Sequence, residues 1–125
     1  MKRAVSGTKP AGAYSPGVIA EGRFVYVSGQ GPLRDGEPVS GTIEEETEVA
    51  LENVAKVLAE AGASLADVVR CGVFLADLED FAGMNDAYSR TFGEPLPART
   101  TVGASLPGIK VEIDCVAVLP DEDAG

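Results

Sequence analysis

The run Pro97-Ala98-Arg99-Thr100-Thr101-Val102-Gly103-Ala104-Ser105-Leu106-Pro107-Gly108-Ile109-Lys110-Val111-Glu112-Ile113-Asp114-Cys115-Val116-Ala117-Val118 reads as two strands and the turn between them. Pro97 cannot continue a helix and pushes Leu96 toward extended geometry, while the β-branched Thr100, Thr101 and Val102 are stiff at χ1, so a strand begins here. Arg99 and Thr101 fall on one face of it. Residues 105–108 carry turn chemistry, and beyond them Val111, Ile113, Cys115 and Ala117 alternate with Glu112, Asp114, Val116 and Val118. Both faces of this second strand are apolar toward its end, so it is expected to be buried and to take Glu112 in with it. A buried carboxylate needs a partner, since an unpaired ion in a protein interior costs on the order of several kcal/mol. Arg99 is the candidate partner. Spacing alone leaves two readings open: a structural ion pair or solvated edge, and a functional charged site.

Upstream, residues 2–6 form a short first strand and 7–17 a Gly/Pro/Ala loop that holds the first aromatic, Tyr14. Val18-Ile19-Ala20 and Phe24-Val25-Tyr26-Val27-Ser28, joined through Glu21-Gly22-Arg23, read as a β-hairpin. Gly29-Gln30-Gly31-Pro32 ends the second of these, and its glycines let a ligand approach bare N–H groups; without a following Gly-Lys-Ser/Thr it is no Walker loop. Residues 34–41 read as a loop. Thr42 with Glu45 forms a capping box, and Thr47, Ala50, Leu51, Val54, Val57, Leu58 and Ala61 recur at helical spacing until Gly62. Glu44, Glu45, Glu46, Glu48, Glu52 and Glu60 form the expected solvated face of that helix, and a metal role for them is disfavoured.

Ser64-Leu65-Ala66-Asp67 is a capped turn into a buried strand, Val68-Val69-Arg70-Cys71-Gly72-Val73-Phe74-Leu75. Asp77 with Asp80 starts a second amphipathic helix with an inner face of Leu78, Phe81, Met84, Asn85, Tyr88 and Phe92. The order strand, helix, strand, helix, strand predicts an α+β or α/β layout in which two helices cover one face of a sheet. Val25, Val27, Val73, Leu75, Ile113 and Val116 offer more apolar surface than two helices hide, so the other face is expected to be covered by self-association. Residues 1–125 are expected to form a single domain, with 121–125 a mobile acidic tail.

Composition narrows the chemistry. With 45% hydrophobic residues and no long apolar run, a soluble globular protein without a transmembrane segment is expected. Met1-Lys2-Arg3 is basic, but residues 4–12 are small, polar and Pro/Gly-containing rather than a signal core, so a cytoplasmic location is expected. Cys71 and Cys115 are expected to be reduced core thiols. The chain has no histidine, which removes Ser-His-Asp and Cys-His catalysis and imidazole zinc sites. A net charge of −10, from 20 acidic and 10 basic residues, argues against nucleic acid. An anionic ligand would then need a focused local cation.

Several motifs in the right order resemble the RidA/YjgF/YER057c/UK114 family. Pro97-Ala98-Arg99-Thr100, Leu106-Pro107, Val111-Glu112-Ile113 and Val116-Ala117-Val118 are similar to its C-terminal signature. Gly12-Ala13-Tyr14-Ser15 resembles its Gly-Pro-Tyr-Ser motif and Val27-Ser28-Gly29-Gln30 its Ser-Gly-Gln strand end. Phe81, Asn85 and Tyr88 resemble its second-helix pattern. The resemblance implies an α+β, chorismate-mutase-like fold, a homotrimer with sites between subunits, and hydrolytic deamination of 2-imino acids or enamines without metal or cofactor. It implies Arg99 as the substrate-carboxylate clamp, Glu112 as the acidic residue, Tyr14 and Ser28 as site residues and Asn85 as a further residue lining the site. The residues themselves add two expectations: backbone N–H groups at Gly29 and Gly31 to orient the substrate, and Thr101 to hold the attacking water with Glu112. Ala13 departs from the family's proline, Pro16-Gly17 from its common Gln-Ala, and Thr101 stands where a cysteine is common, leaving a hydroxyl but no thiol. Other members are described as ribonucleases or as chaperone-like or ligand-binding proteins. Charge and the lack of histidine count against the first, whereas a non-catalytic carboxylate binder remains open.

Overall fold

The computed structural model describes residues 1–121; the acidic tail expected at 121–125 lies, beyond Asp121, outside them. The central four-stranded sheet is built from β3 (Phe24–Gln30), β6 (Val68–Leu75), β7 (Ala98–Gly103) and β8 (Val111–Val118) in the order β3-β8-β6-β7. All pairings are antiparallel except β6 with β7, which is parallel. Helices α1 (Ile43–Glu60) and α2 (Phe81–Thr91) lie on one face. This is the expected mixed sheet with two helices on one side.

Local chemistry sets the helix ends. The Thr42 hydroxyl accepts from the Glu45 N–H and the Glu45 carboxylate from the Thr42 N–H, closing the capping box. At the other end Gly62 takes φ +82°, and the Gly62 and Ala63 N–H groups donate to Ala59 and Leu58 oxygens, a Schellman stop. Leu51, Val54 and Leu58 of α1 and Met84 and Tyr88 of α2 meet Cys71, Val73, Leu75, Ile113 and Cys115 in the core. Each fully buried aliphatic side chain stabilises by about 1.5–3 kcal/mol.

Several expectations are corrected. Residues 18–28 are not a hairpin: β2 (Gly17–Ala20) pairs with β1 (Lys2–Val5), and β3 pairs with β8 instead. The longer β3 gains a buried partner there, placing Val25 and Val27 opposite Ala117 and Cys115 in the core register. The loop at 34–41 contains a small ribbon, β4 (Leu33–Arg34) with β5 (Glu37–Pro38), turned by Asp35 and Gly36 at φ +52° and +81°. Val57 is 37% exposed at the edge of its helical stripe, and Leu78 is 58% exposed because it sits in a 3-10 turn ahead of α2. Glu46 is not solvated; it is 3% exposed and paired with Lys110.

The uncovered face is also not the one expected. Val27, Val73, Leu75 and Ile113 belong to the core under the helices, and the partly buried Val25 packs against it. What lies bare on the other side is Phe24, Tyr26 and Val102, with Phe74 and Val116 half-buried beside them. The alternation is the same, but the pairing decides which set faces out. None of the helices among the described residues is long and apolar enough to cross a membrane.

Cys71 and Cys115 are opposite one another on β6 and β8, both buried and unbridged. Burial pushes the Cys71 thiol up to about 11 and the Cys115 thiol up to about 12, so at pH 8 almost no reactive thiolate is present. Iodoacetamide at pH 8 should leave both unmodified in the native protein and alkylate both in denaturant, read by intact mass. Native labelling of either would mean that this core opens.

Candidate active site

Arg99 leaves the edge strand β7 on the helix side of the sheet. Its guanidinium carbon lies 4.8 Å from the ring centre of Tyr88, 5.4 Å from that of Phe81 and 5.3 Å from that of Tyr14. Such cation–π contacts contribute about 0.5–2 kcal/mol each, more as water is excluded. Nη1 donates to the Ala13 carbonyl at 3.3 Å. No carboxylate among the described residues lies within ion-pair distance of Arg99. Burial lowers its pKa, yet a guanidinium stays charged. A half-buried fork with donors to spare and no counter-ion is suited to binding a carboxylate in two parallel hydrogen bonds.

The loop carrying Tyr14 is fastened on both sides. The Ala13 N–H donates to Asn85 Oδ1 at 2.9 Å, from α2. The Ser15 N–H donates to the Pro97 carbonyl at 3.0 Å and its hydroxyl to that of Leu96, at the entry to β7. The Tyr14 hydroxyl accepts from the Ala11 N–H at 2.9 Å, which fixes the ring. Asn85 therefore has its oxygen engaged by backbone. The resulting cleft, about 250 Å³, is lined by Ala11, Tyr14, Phe81, Arg99 and Thr101. Thr101 Oγ1 is shielded from solvent and has no hydrogen-bond partner among the described residues.

Glu112 is elsewhere. Strand β6 separates β7 from β8, and Arg99 lies in register with Cys71 and, beyond it, Cys115. Cys115 and Ile113 point into the core, so Glu112 points to the opposite sheet face. The expected pairing of Arg99 with Glu112 within one chain is therefore absent. Glu112 rests instead on Gly29, where a Cβ would come within 2.8 Å of its carboxyl carbon and Oε2. Gly29 lies in an irregularity between Val27 and Gln30 that lets β3 bow around the carboxylate. Ser28 is exposed next to it, and Gly31 packs on Ile109, where a Cβ would stand 3.1 Å from Cδ1.

The candidate residues thus fall into two groups, or candidate half-sites, that do not meet within one chain. One is Tyr14, Asn85, Arg99 and Thr101; the other is Ser28, Gly29, Gly31 and Glu112. Sequence reasoning did not find that Phe81 and Tyr88 support the guanidinium, though both lie on the helical stripe that faces β7. It also passed over Glu46 and Asn53, whose polar side chains on α1 hold backbone near the second half-site.

Residues 5–119 match the family described as Endoribonuclease L-PSP. The chain is 44% identical over 104 residues to a fission-yeast protein named mmf2, mitochondrial, covering 79% of this chain and 82% of that one. It is 39% identical over 115 residues to a protein of Dermatophagoides farinae named 2-iminobutanoate/2-iminopropanoate deaminase, covering 89% of each. The crystal structure of yeast Mmf1 superposes with a TM-score of 0.75 at 39% identity, covering 96% of this chain and 100% of that one.

Gly12 offers a test of the arginine half-site. A Cβ there would stand 2.9 Å from Arg99 Nη2 and 3.0 Å from Asn85 Oδ1, while its backbone is outside the left-handed region, so alanine meets side chains and not strain. Gly12→Ala should fold normally but weaken binding of a small carboxylate such as 2-oxobutanoate at least about tenfold, the loss of one charge-assisted hydrogen bond. Calorimetric titration showing unchanged affinity would mean that the guanidinium moves aside from the Cβ without loss of the carboxylate, or does not hold it.

Proposed function

The chain belongs to the YjgF/RidA family, and on that premise we propose that it hydrolyses reactive 2-imino acids and their enamine tautomers to 2-keto acids and ammonia. The observation that carries this reading is the half-buried Arg99 guanidinium, seated on three aromatic rings without a counter-ion among the described residues. Lysine would supply the charge but not the planar fork.

In this mechanism Arg99 takes the substrate carboxylate and the rings of Tyr14 and Phe81 bound its carbon chain. Water adds to C2 of the protonated imine, giving up a proton to the group that holds it, and the carbinolamine collapses with loss of ammonia. Thr101 and Glu112 are the groups for that water, and N–H groups of residues 29–31 orient the substrate. Because Glu112 and Arg99 face away from each other in one chain, a complete site needs a second copy. The arginine cleft lies on the edge strand β7, and the bare Phe24, Tyr26 and Val102 offer apolar surface for contact. We infer a homotrimer in which the partner's Ser28, Gly29 and Glu112 close the cleft.

A non-catalytic carboxylate binder would share the clamp, and turnover assays separate the two. A nuclease, which the family's description names, fits poorly with a charge of −10 and no histidine. We place the reaction in the cytosol on the two reduced, buried thiols; the fission-yeast relative's name assigns that protein to mitochondria.

Arg99→Lys and Arg99→Ala should each lower kcat/KM for 2-imino acids at least about tenfold to a hundredfold, from charge-assisted bonds worth roughly 1.5–3 kcal/mol each. A folded trimeric Arg99→Ala protein with near-native turnover would remove the main support for the enzyme. Mixing inactive Arg99→Ala and Glu112→Ala chains under conditions that exchange subunits should restore about a quarter of the sites, since random partners rebuild one intact site in four. No recovery in demonstrably mixed trimers would rule out the two-subunit site.

A further inference from the structure

Two polar side chains on α1 reach the backbone on either side of the second half-site. Asn53 donates through Nδ2 to the carbonyls of Gly31 at 2.9 Å and Leu33 at 2.8 Å, holding the turn that leaves β3. Glu46 accepts the Lys110 N–H at 2.9 Å through Oε1 and the Lys110 ammonium at 3.1 Å through Oε2. On its other side the Lys110 carbonyl accepts from the Ala76 N–H at 3.0 Å, so the entry to β8 is held twice, two residues before Glu112. Glu46 and Asn53 are seven residues apart, two helical turns and about 10 Å along one stripe of α1. The segments they hold touch each other, Gly29 against Glu112 and Gly31 against Ile109.

Folding stability is not a sufficient reason for this chemistry. Replacing a buried ion pair by apolar groups of like volume is often neutral or better for folding. What a carboxylate and an amide supply here that leucine cannot is a fixed position for specific backbone groups.

We propose that Glu46 and Asn53 are positioning residues: α1 acts as a template that sets the spacing between the Gly29–Gly31 backbone and the Glu112 carboxylate. The inference rests on reading these groups as half of the imino-acid site. A misplacement of about 1 Å costs up to about a hundredfold in rate, so the template acts on kcat, whereas carboxylate capture belongs to Arg99.

The test compares Asn53→Leu, Glu46→Leu and Glu46→Gln with Glu52→Gln, an exposed α1 residue paired with Arg34. Asn53→Leu and Glu46→Leu should lower kcat at least about tenfold with KM changed less than about twofold, the pattern of lost transition-state positioning. Glu46→Gln keeps the acceptor for the Lys110 N–H and should stay within about threefold of wild type, and Glu52→Gln should match it. Should Asn53→Leu fail to fold, Asn53→Asp has the same shape without the donors and takes its place. Retained kcat in the leucine variants, or a loss in Glu46→Gln equal to that in Glu46→Leu, overturns the proposal. Amide exchange on the same proteins does not depend on the deaminase reading. Faster exchange at residues 29–33 in the Asn53 variant and at 110–112 in Glu46→Leu supports the template, and unchanged exchange overturns it even if wild type turns over no 2-imino acid.

Discussion

A guanidinium held half out of water, with no counter-charge among the described residues, is the constraint around which this chain is arranged. Taking a cation from water costs several kcal/mol when nothing replaces the solvent. Here Tyr88, Phe81 and Tyr14 supply three ring faces and Ala13 one carbonyl. Each ring comes from a different requirement: Tyr88 is a core residue of α2, Phe81 opens that helix, and Tyr14 is carried on a loop that Asn85 and Ser15 fasten down. These contacts lower the cost of holding the charge and do not neutralise it. On the proposed reading, a carboxylate arriving from solvent finds its partner oriented and partly desolvated, so little reorganisation is left for the binding step.

The elements were largely legible because they are local. The period of 3.6 over residues 47–58, the Thr42–Glu45 box and the left-handed Gly62 define α1 without reference to anything distant. The alternation Val111, Ile113, Cys115 and Ala117 likewise defines β8 and its buried face. Pairing was not legible. Whether residues 18–20 go with the first strand or the next is decided by what β8 offers to β3, more than eighty residues away in sequence. The same blindness joined Arg99 to Glu112: both sit in adjacent predicted strands, and only the insertion of β6 between them fixes the parity that turns them apart. Glu46 stands in a run of glutamates whose members look alike until the helix is docked against Lys110.

The two faces of the sheet impose different rules. Under the helices the side chains are close-packed and inert, with thiols shifted far from reactivity. On the other face Asp114 lies over Gly72, accepting its N–H at 3.0 Å, while Glu112 lies over Gly29. Both carboxylates occupy space vacated by a missing Cβ on a neighbouring strand. An apolar face carrying such carboxylates is poorly suited to remain in water and poorly suited to be buried indiscriminately. In the proposed homotrimer the next copy covers this face and brings its arginine cleft toward Glu112, with the substrate carboxylate as the counter-ion of Arg99.

A net charge of −10 would repel an anionic substrate at long range, so the cleft works through a local field and short-range geometry rather than steering. The proposed chemistry tolerates this, because 2-imino acids already react with water and need positioning more than strong acid–base assistance. Without histidine the chain has no side chain whose ordinary pKa sits near neutrality. Rate enhancement then depends on where backbone N–H groups, a hydroxyl and a carboxylate are held relative to the clamped substrate. That places the demand on rigid supports: α2 for the arginine half-site, and α1 for the glutamate half-site. On the proposed reading, two helices packed on one sheet face fix both halves, although the halves themselves point in different directions.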